Sequence, residues 1–288
     1  MTTSASSLGW EAIVDLALTE DIGTGDITTL STVPAHAQAT GTLLAKQAGV
    51  ISGLAVAAYV FQRVDPAIVF EPLVADGEQV QAMTPIARVS GPARSLLTAE
   101  RTALNLLQRL SGVATVTARY AAETDGSHSR VVDTRKTTPG LRLLEKLAVQ
   151  HGGGHNHRFG LSDGVLIKDN HLAAVGGPDR IRQAISSARN LAPHTLKIEC
   201  EVTSLDELEE ALAAGADIVM LDNMDNDQIA EAIRRRDTVA PGVLLEASGG
   251  ITLERIRSLA DLGVDLISVG ALTHSAPALD ISLDLDIQ

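Results

Sequence analysis

One stretch of the chain gathers cations and histidines where the rest is acidic. Residues 130–171 hold seven Lys or Arg (Arg130, Arg135, Lys136, Arg142, Lys146, Arg158, Lys168) against four Asp or Glu, and four of the eight histidines. The whole chain carries 23 Lys and Arg against 36 Asp and Glu, a formal charge of −13. A cationic cleft in an anionic body concentrates small multivalent anions and turns polyanions away. Arg135, Lys136 and Lys168 follow the short apolar runs 131–132 and 165–167. They are therefore expected at strand ends rather than on a solvated helix face.

Other residues point the same way. Ser248-Gly249-Gly250 precedes a helical pattern over 253–262, and Gly270 follows the apolar run 266–269. Glycines let backbone N–H groups approach an oxyanion, and a helix N-terminus favours negative charge. Tight turns with positive φ explain the same glycines, but two such loops after consecutive strands favour a phosphate site. Glu201 and Asp222 close neighbouring runs, where they can stabilise a cationic transition state or reach Mg²⁺ through water; the plainer alternative is exposed polar strand ends. His151-Gly-Gly-Gly-His155-Asn-His157 has enough histidine for Zn²⁺. However, the glycines break helical spacing, the lone Cys200 lies elsewhere, and Arg158 repels a cation. A flexible, anion-binding glycine-rich loop is the better expectation.

The elements that carry these residues follow from periodicity. An amphipathic helix is expected over 8–20, with Trp10, Ile13, Val14, Ala17 and Leu18 on one face. Strands are expected at 39–45, 68–74 and 86–90, and helices at 54–63 and 96–110, the last ended by Ser111-Gly112. Beyond residue 113 six short apolar runs (131–132, 165–167, 196–198, 218–221, 243–245, 266–269) alternate with helical patterns such as 205–214, 229–236 and 253–262. That rhythm indicates parallel βαβ units, and six in series suggest a (β/α) barrel, complete or partial; an open doubly wound sheet is the other arrangement. Each run ends in polar residues or glycine, as a ring of site-building loops does. In the tail, Leu279, Ile281, Leu283, Leu285 and Ile287 alternate with polar residues, mostly Asp. A half-buried strand returning to the first sheet fits this pattern. The fold expected is α/β: a barrel-like domain over 113–272, and a smaller α+β sandwich domain over 1–112 with 273–288 returning to it.

Composition narrows the class. The chain has 288 residues, 45 % of them hydrophobic, enough for one large or two moderate cores. Its acidity argues against nucleic acid and anionic membranes as partners. One cysteine excludes an intrachain disulfide and fits a reducing compartment. The start lacks the basic region of a secretory signal, and no apolar run reaches membrane-span length. A cytoplasmic enzyme is expected.

At these residues the chain resembles the quinolinate phosphoribosyltransferase family. The resemblance is carried by EDIGTGDITT (20–29), AERTALNLLQRLSGVAT (99–115), the long segment 133–171 with TRKTTPG, HRFGL and IKDNH, EVTSLDELEEALAAGADIVMLDN (201–223) and EASGGI (246–251). It covers most of the chain in order; His151 and His155 depart from what family loops commonly hold. The resemblance implies joining of quinolinate to phosphoribosyl pyrophosphate (PRPP) with Mg²⁺, giving nicotinate mononucleotide, pyrophosphate and CO₂. It assigns Arg135, His157, Arg158 and Lys168 to the quinolinate carboxylates, with Arg101 reaching in from a partner subunit. Lys136, Glu201 and Asp222 are assigned to PRPP and catalysis, and Ser248, Gly249, Gly250 and Gly270 to its phosphate. Mg²⁺ is implied through substrate and water near Glu201 and Asp222, with no direct protein ligand assigned. A homodimer or a multiple of it is implied as well.

The expected chemistry is a loose, oxocarbenium-like displacement at ribose C1 by the quinolinate nitrogen. It needs no covalent nucleophile, and the sequence offers no Ser–His–Asp or Cys–His arrangement. The alternatives are a related pyrophosphorylase for another heterocyclic carboxylate, a Schiff-base enzyme using Lys168, and a non-catalytic nucleotide sensor.

Overall fold

In the computed structural model, residues 9–287 are described. Residues 1–8, which carry much of the leader reading and the first residue of the expected 8–20 helix, lie outside them. In chain order the elements are α1 (Glu11–Ile22), α2 (Ile27–Thr32), β1 (Gln38–Ala45), β2 (Gly49–Val50), α3 (Leu54–Val64), β3 (Val69–Pro72), β4 (Gln79–Val80), β5 (Thr84–Pro92) and α4 (Ala93–Ala122). There follow β6 (Arg130–Val132), α5 (Arg142–His151), β7 (Val165–Ile167), α6 (Asp169–Val175), α7 (Arg180–Leu191), β8 (Ile198–Val202), α8 (Leu205–Ala213) and β9 (Ile218–Asp222). The chain ends with α9 (Asn226–Val239), β10 (Leu244–Ser248), α10 (Leu253–Leu262), β11 (Leu266–Ser268), α11 (Ala271–His274) and β12 (Ile281–Ile287).

These elements form two units. The first comprises residues 1–118, 137–153 and 271–288; the second comprises 119–136 and 154–270. The sequence reading kept 137–153 within 113–272, whereas the structure groups that segment with the first unit. The physical reason is Glu145 on α5, whose side chain is fully buried. It accepts from Arg109 Nε at 3.1 Å and Nη2 at 2.7 Å, and from the Thr138 backbone N–H at 3.0 Å and hydroxyl at 2.7 Å. A buried carboxylate must find such partners, and here Arg109 on α4 supplies the ionic one.

The first unit holds an antiparallel sheet in the order β12-β1-β5-β3 and a β2-β4 ribbon. β12 is the returning tail. It pairs with β1 over seven residues, from Ala39 with Ile287 to Ala45 with Ile281. Asp284 and Asp286 stay exposed on this edge strand, where charge discourages pairing with other chains.

One expected stop is absent. Ser111-Gly112 does not end its helix, and α4 runs for 30 residues. Gly112 is there for close packing: a Cβ at this position would run into the Pro277 carbonyl and press on Ala278. The Ser111 hydroxyl meanwhile satisfies the Ser52 backbone, accepting its N–H at 3.0 Å.

The second unit is a parallel sheet in the order β7-β8-β9-β10-β11-β6. From β7 onward each strand pairs with its successor, and β6 pairs with β11. The order never reverses, so there is no switch point of the doubly wound kind. Same-direction, right-handed crossovers place the helices on one face and curl the sheet. The result is a six-stranded barrel-like sheet whose ladder is interrupted between β6 and β7. A strap over 154–158 lies along β6: the His155 N–H donates to the Val131 carbonyl at 2.9 Å, and the Asp133 N–H to the His155 carbonyl at 3.0 Å. The glycine-rich segment is thus backbone-paired in its second half rather than loose.

Gly112→Ala tests the packing reading by its sign. Alanine in a helix interior ordinarily gains about 1 kcal/mol over glycine. Here overpacking should instead cost about 1–3 kcal/mol, read as a lower urea midpoint; a stabilised variant would contradict the close approach to Pro277.

Candidate active site

Period-two alternation in the second unit's strands decides what faces the barrel interior. Ile198, Cys200 and Val202 on β8, Val219 and Leu221 on β9, and Leu245 and Ala247 on β10 are buried on the other face. Glu201, Met220, Asp222, Glu246 and Ser248 line the interior cavity. The cavity has a volume of about 670 Å³, within the usual range for small-ligand sites.

Its lining answers the sequence reading residue by residue. Arg135, Lys136, His157, Arg158, Lys168, Glu201, Asp222, Ser248, Gly249 and Gly250 all contribute. Gly270 is placed at the end of β11, next to the interior residue Ser268, but is not among the lining residues. Arg101 sits on α4 of the first unit with 61 % of its side chain exposed, 3.9 Å from Glu100.

Each lining residue is placed by its neighbours. Lys168 directly precedes α6, and its Nζ lies 3.4 Å from Glu201 Oε2 with 47 % of the side chain exposed. A Schiff-base lysine needs a desolvated amine, and this ion-paired, half-exposed one does not provide it. Asp222 Oδ2 accepts from Asn223 Nδ2 at 2.7 Å. Gly249 (φ 84°) and Gly250 (φ 58°) both adopt the left-handed region. At Gly249 a Cβ would collide with the Asn223 side chain. Turn geometry and close backbone approach therefore act together in the loop before α10.

Arg158 donates to the Gly164 carbonyl at 3.0 Å. Burial and the nearby charge of Arg135 lower its pKa, while Glu199 and Asp163 act against that. Two guanidinium groups repelling one another in a partly dry cavity form a site that an anion relaxes.

Beneath this layer lies a cluster that the sequence reading missed. It placed Glu199 and Glu246 after their strands. Instead both are inside β8 and β10, 3 % and 0 % exposed. His157 Nε2 lies 3.0 Å from Glu199 Oε2 and 3.5 Å from Glu246 Oε2. The ligating atoms of all three residues fall within 4.8 Å of one another. Among the described residues this is the one group of three such side chains close enough to share a metal ion, and His151 and His155 do not belong to it. His151 ends α5 in the first unit, its Nδ1 2.8 Å from the Ser52 hydroxyl. The signal that was available is period-two spacing: Glu199 and Glu201 share a strand face, as do Glu246 and Ser248.

The cluster's charge follows from competing effects. Burial opposes the imidazolium, but hydrogen bonds and charge from Glu199 and Glu246 more than reverse this, raising His157 to about 10. Burial and the neighbouring Glu246 raise Glu199 to about 7, against the pull of His157 and Arg158. At an effective dielectric near 20, each imidazolium–carboxylate attraction is worth roughly 5 kcal/mol and the carboxylate repulsion roughly 3. The Arg158 N–H donates to His157 Nδ1 at 2.7 Å, which favours a neutral ring protonated on Nε2. One such bond is worth about 1 kcal/mol, less than either carboxylate attraction, so the balance favours the cation. Burial also pushes the Cys200 thiol up to about 12, which makes it inert as a nucleophile.

Family comparison agrees with this geometry. The N-terminal domain of quinolinate phosphoribosyl transferase matches residues 26–111, and its C-terminal domain matches 113–284. The chain belongs to this family. It is 48 % identical to the carboxylating nicotinate-nucleotide pyrophosphorylase of Mycobacterium leprae (strain TN), over 93 % of this chain and 94 % of that one. It is 44 % identical to the probable enzyme of that name from Bacillus subtilis (strain 168), covering 93 % and 90 %. The nicotinate-nucleotide pyrophosphorylase structure from Francisella tularensis superposes with a TM-score of 0.88 at 40 % identity, covering 96 % of each chain. Quinolinate phosphoribosyl transferases are therefore the frame in which this cavity is read.

The buried cluster makes stability depend on pH with a definite sign. His157 binds its proton more tightly folded (about 10) than unfolded (6.5), and Glu199 likewise (about 7 against 4.5). Folded chains then hold more protons than unfolded ones, so stability falls as pH rises. The His157 contribution is fully present below pH 6.5 and is lost through pH 10. Urea midpoints measured from pH 6.5 to 10 should decline, and more steeply in the native chain than in His157→Gln; parallel declines would contradict the cluster's charge state.

Proposed function

We propose that this chain transfers the phosphoribosyl group of PRPP to quinolinate with decarboxylation, giving nicotinate mononucleotide, pyrophosphate and CO₂. The observation that carries the reading is the composition of one cavity. Four cations (Arg135, Lys136, Arg158, Lys168) face it together with the Ser248-Gly249-Gly250 loop and two carboxylates, Glu201 and Asp222. A dicarboxylate and a phosphorylated sugar are the pair of anions that such a lining suits.

Arg135, Arg158 and Lys168, with His157, take the two quinolinate carboxylates, the guanidinium forks binding them bidentately. Lys136 takes PRPP, and Ser248, Gly249, Gly250 and Gly270 take its 5′-phosphate. The quinolinate nitrogen attacks ribose C1 as pyrophosphate leaves. Glu201 and Asp222 face the positive charge that develops on the ribose. Both carboxylates line the cavity and are already partly engaged, by Lys168 and Asn223. That suits Mg²⁺ held through its own water rather than by a dedicated protein cage. When bound, the ion offsets charge on the departing pyrophosphate. Once the ring nitrogen is quaternised, its positive charge stabilises the electron pair left at C2 as CO₂ departs; C2 then takes a proton from water, and no protein nucleophile is required.

Arg101, exposed on α4 beside Glu100, is assigned to a partner subunit's cavity. The working unit is accordingly a homodimer or a multiple of it. Among the described residues no helix is long and apolar enough to cross a membrane; the cytoplasm is the compartment proposed.

Incubation with PRPP, Mg²⁺ and quinolinate, and in parallel with nicotinate, separates the readings by mass spectrometry. Nicotinate mononucleotide from quinolinate alone is expected; product only from another heterocyclic carboxylate would overturn the substrate assignment. Arg135→Ala and Arg158→Ala should each lose roughly 2–5 kcal/mol of binding or transition-state stabilisation, lowering kcat/KM by about 30-fold or more with the fold intact. Near-native kcat/KM in either would remove that arginine from the site.

A further inference from the structure

The strap that carries His157 and Arg158 lies where the ladder between β6 and β7 is interrupted. On one side its backbone pairs with β6 through His155. Away from β6 it is held by the Arg158 guanidinium on the Gly164 carbonyl and by His157. The His157 backbone N–H donates to Asp133 Oδ1 at 2.8 Å, and its ring reaches across the interior to Glu199 on β8 and Glu246 on β10. The carbon skeletons of both glutamates are packed in the interior; Glu199 Oε1 and both carboxylate oxygens of Glu246 have no hydrogen-bond partner, so Glu246 meets the ring through charge at 3.5 Å. Burying two carboxylates is costly unless they do something that an apolar pair cannot. An apolar pair would fill the layer but would not orient an imidazole.

We propose that Glu199 and Glu246 are positioning residues of the dicarboxylate subsite: gripping the His157 ring from within the barrel, they fix the strap that carries Arg158 into the cavity. The proposal rests on the reading of that cavity as an anion site. Glu199 adds a second effect, since its charge also offsets the repulsion between Arg158 and Arg135.

The sign of the effect separates positioning from mere proximity. A negative charge lying idle beneath an anion site weakens anion binding, so its removal would tighten binding. Removal of a positioning carboxylate loosens the strap and weakens binding. Glu246→Gln and Glu199→Gln keep the shape and remove the charge. Each should weaken quinolinate, and the unreactive dicarboxylate phthalate, by about 10- to 100-fold, the usual worth of a buried charge-assisted hydrogen bond. KM for PRPP should stay within about twofold.

A pH profile supplies a readout that a purely structural role would not move. The groups facing the His157 ring and strap are Glu199 from β8, Glu246 from β10, Asp133 after β6, and Arg158 with Arg135 beyond it. Of these, the carboxylates favour the charged ring and the arginines oppose it. In the native chain phthalate affinity should persist to about pH 9; in Glu246→Gln the alkaline fall should move at least one unit toward neutrality.

The measurements are calorimetric titrations of quinolinate and phthalate, steady-state KM and kcat, and nitrogen-15 spectra of the His157 ring in the full-length chain. Unchanged or tighter dicarboxylate binding in both folded variants would overturn the proposal. So would a native His157 ring that titrates near 6.5, an outcome readable even if the variants fail to fold. A native chain that binds phthalate but makes no product would instead remove the functional reading and leave the positioning role standing.

Discussion

A buried imidazole between two buried carboxylates is the constraint around which the second unit is organised. The six-stranded ladder is not continuous, and the strap that pairs with β6 through His155 needs a further anchor on its other side. His157 supplies the anchor because it is long enough to reach β8 and β10 and polar enough to be directional. The electrostatics allow it only as a set. Either glutamate alone in the barrel would be an uncompensated charge, and the imidazole alone would be a desolvated base. Together the two attractions exceed the single repulsion, and the Arg158 backbone N–H is left as the minor influence. The active-site layer above inherits its geometry from this arrangement.

Much of that layer was legible from the sequence because strand ends in a parallel barrel share one rim. Arg135, Lys136, Lys168, Glu201, Asp222 and Ser248 each follow or close an apolar run, and the fold brings them to one cavity. The layer below was not legible, because Glu199 and Glu246 break the apolar pattern that marks a strand. A carboxylate after Ile198 looks like the end of a run, yet β8 continues through it to Val202. The same rule that signals burial hid the buried acids. Ser111-Gly112 failed for a related reason: a serine–glycine pair reads as a stop, whereas Gly112 is required by the approach of the Pro277 carbonyl and Ser111 by the Ser52 backbone. The membership of 137–153 in the first unit was equally hidden, since it turns on Glu145 meeting Arg109, 36 residues away.

The distribution of charge explains how an acidic chain handles acidic substrates. Four cations of one short segment line the cavity, while the acids of α8, α9 and β12 lie away from it. Outer ion pairs such as Arg235 with Glu231 and Glu209 are the exposed kind that contribute little individually. In the cavity, burial and the charge of Arg135 disfavour the Arg158 guanidinium, against the pull of Glu199 and Asp163. That repulsion is a source of affinity, because an arriving carboxylate relieves it rather than merely adding an attraction.

The same reasoning bears on why the chemistry needs no protein nucleophile. Cys200, the single thiol, is pushed up to about 12 by burial and by the surrounding glutamates, and faces away from the cavity side of β8. Lys168 is tied to Glu201 and half in solvent. These two side chains are thereby kept from covalent chemistry by their surroundings. What the cavity presents is fixed charge of both signs at short range: cations to hold two anions against their mutual repulsion, and carboxylates to meet positive charge as it develops on a sugar. A reaction that separates charge between a leaving anion and an electron-poor carbon needs those two fields placed side by side: alternation along β8 and β9 aims the carboxylates inward, and the segments that follow β6 and β7 bring the cations to the same cavity.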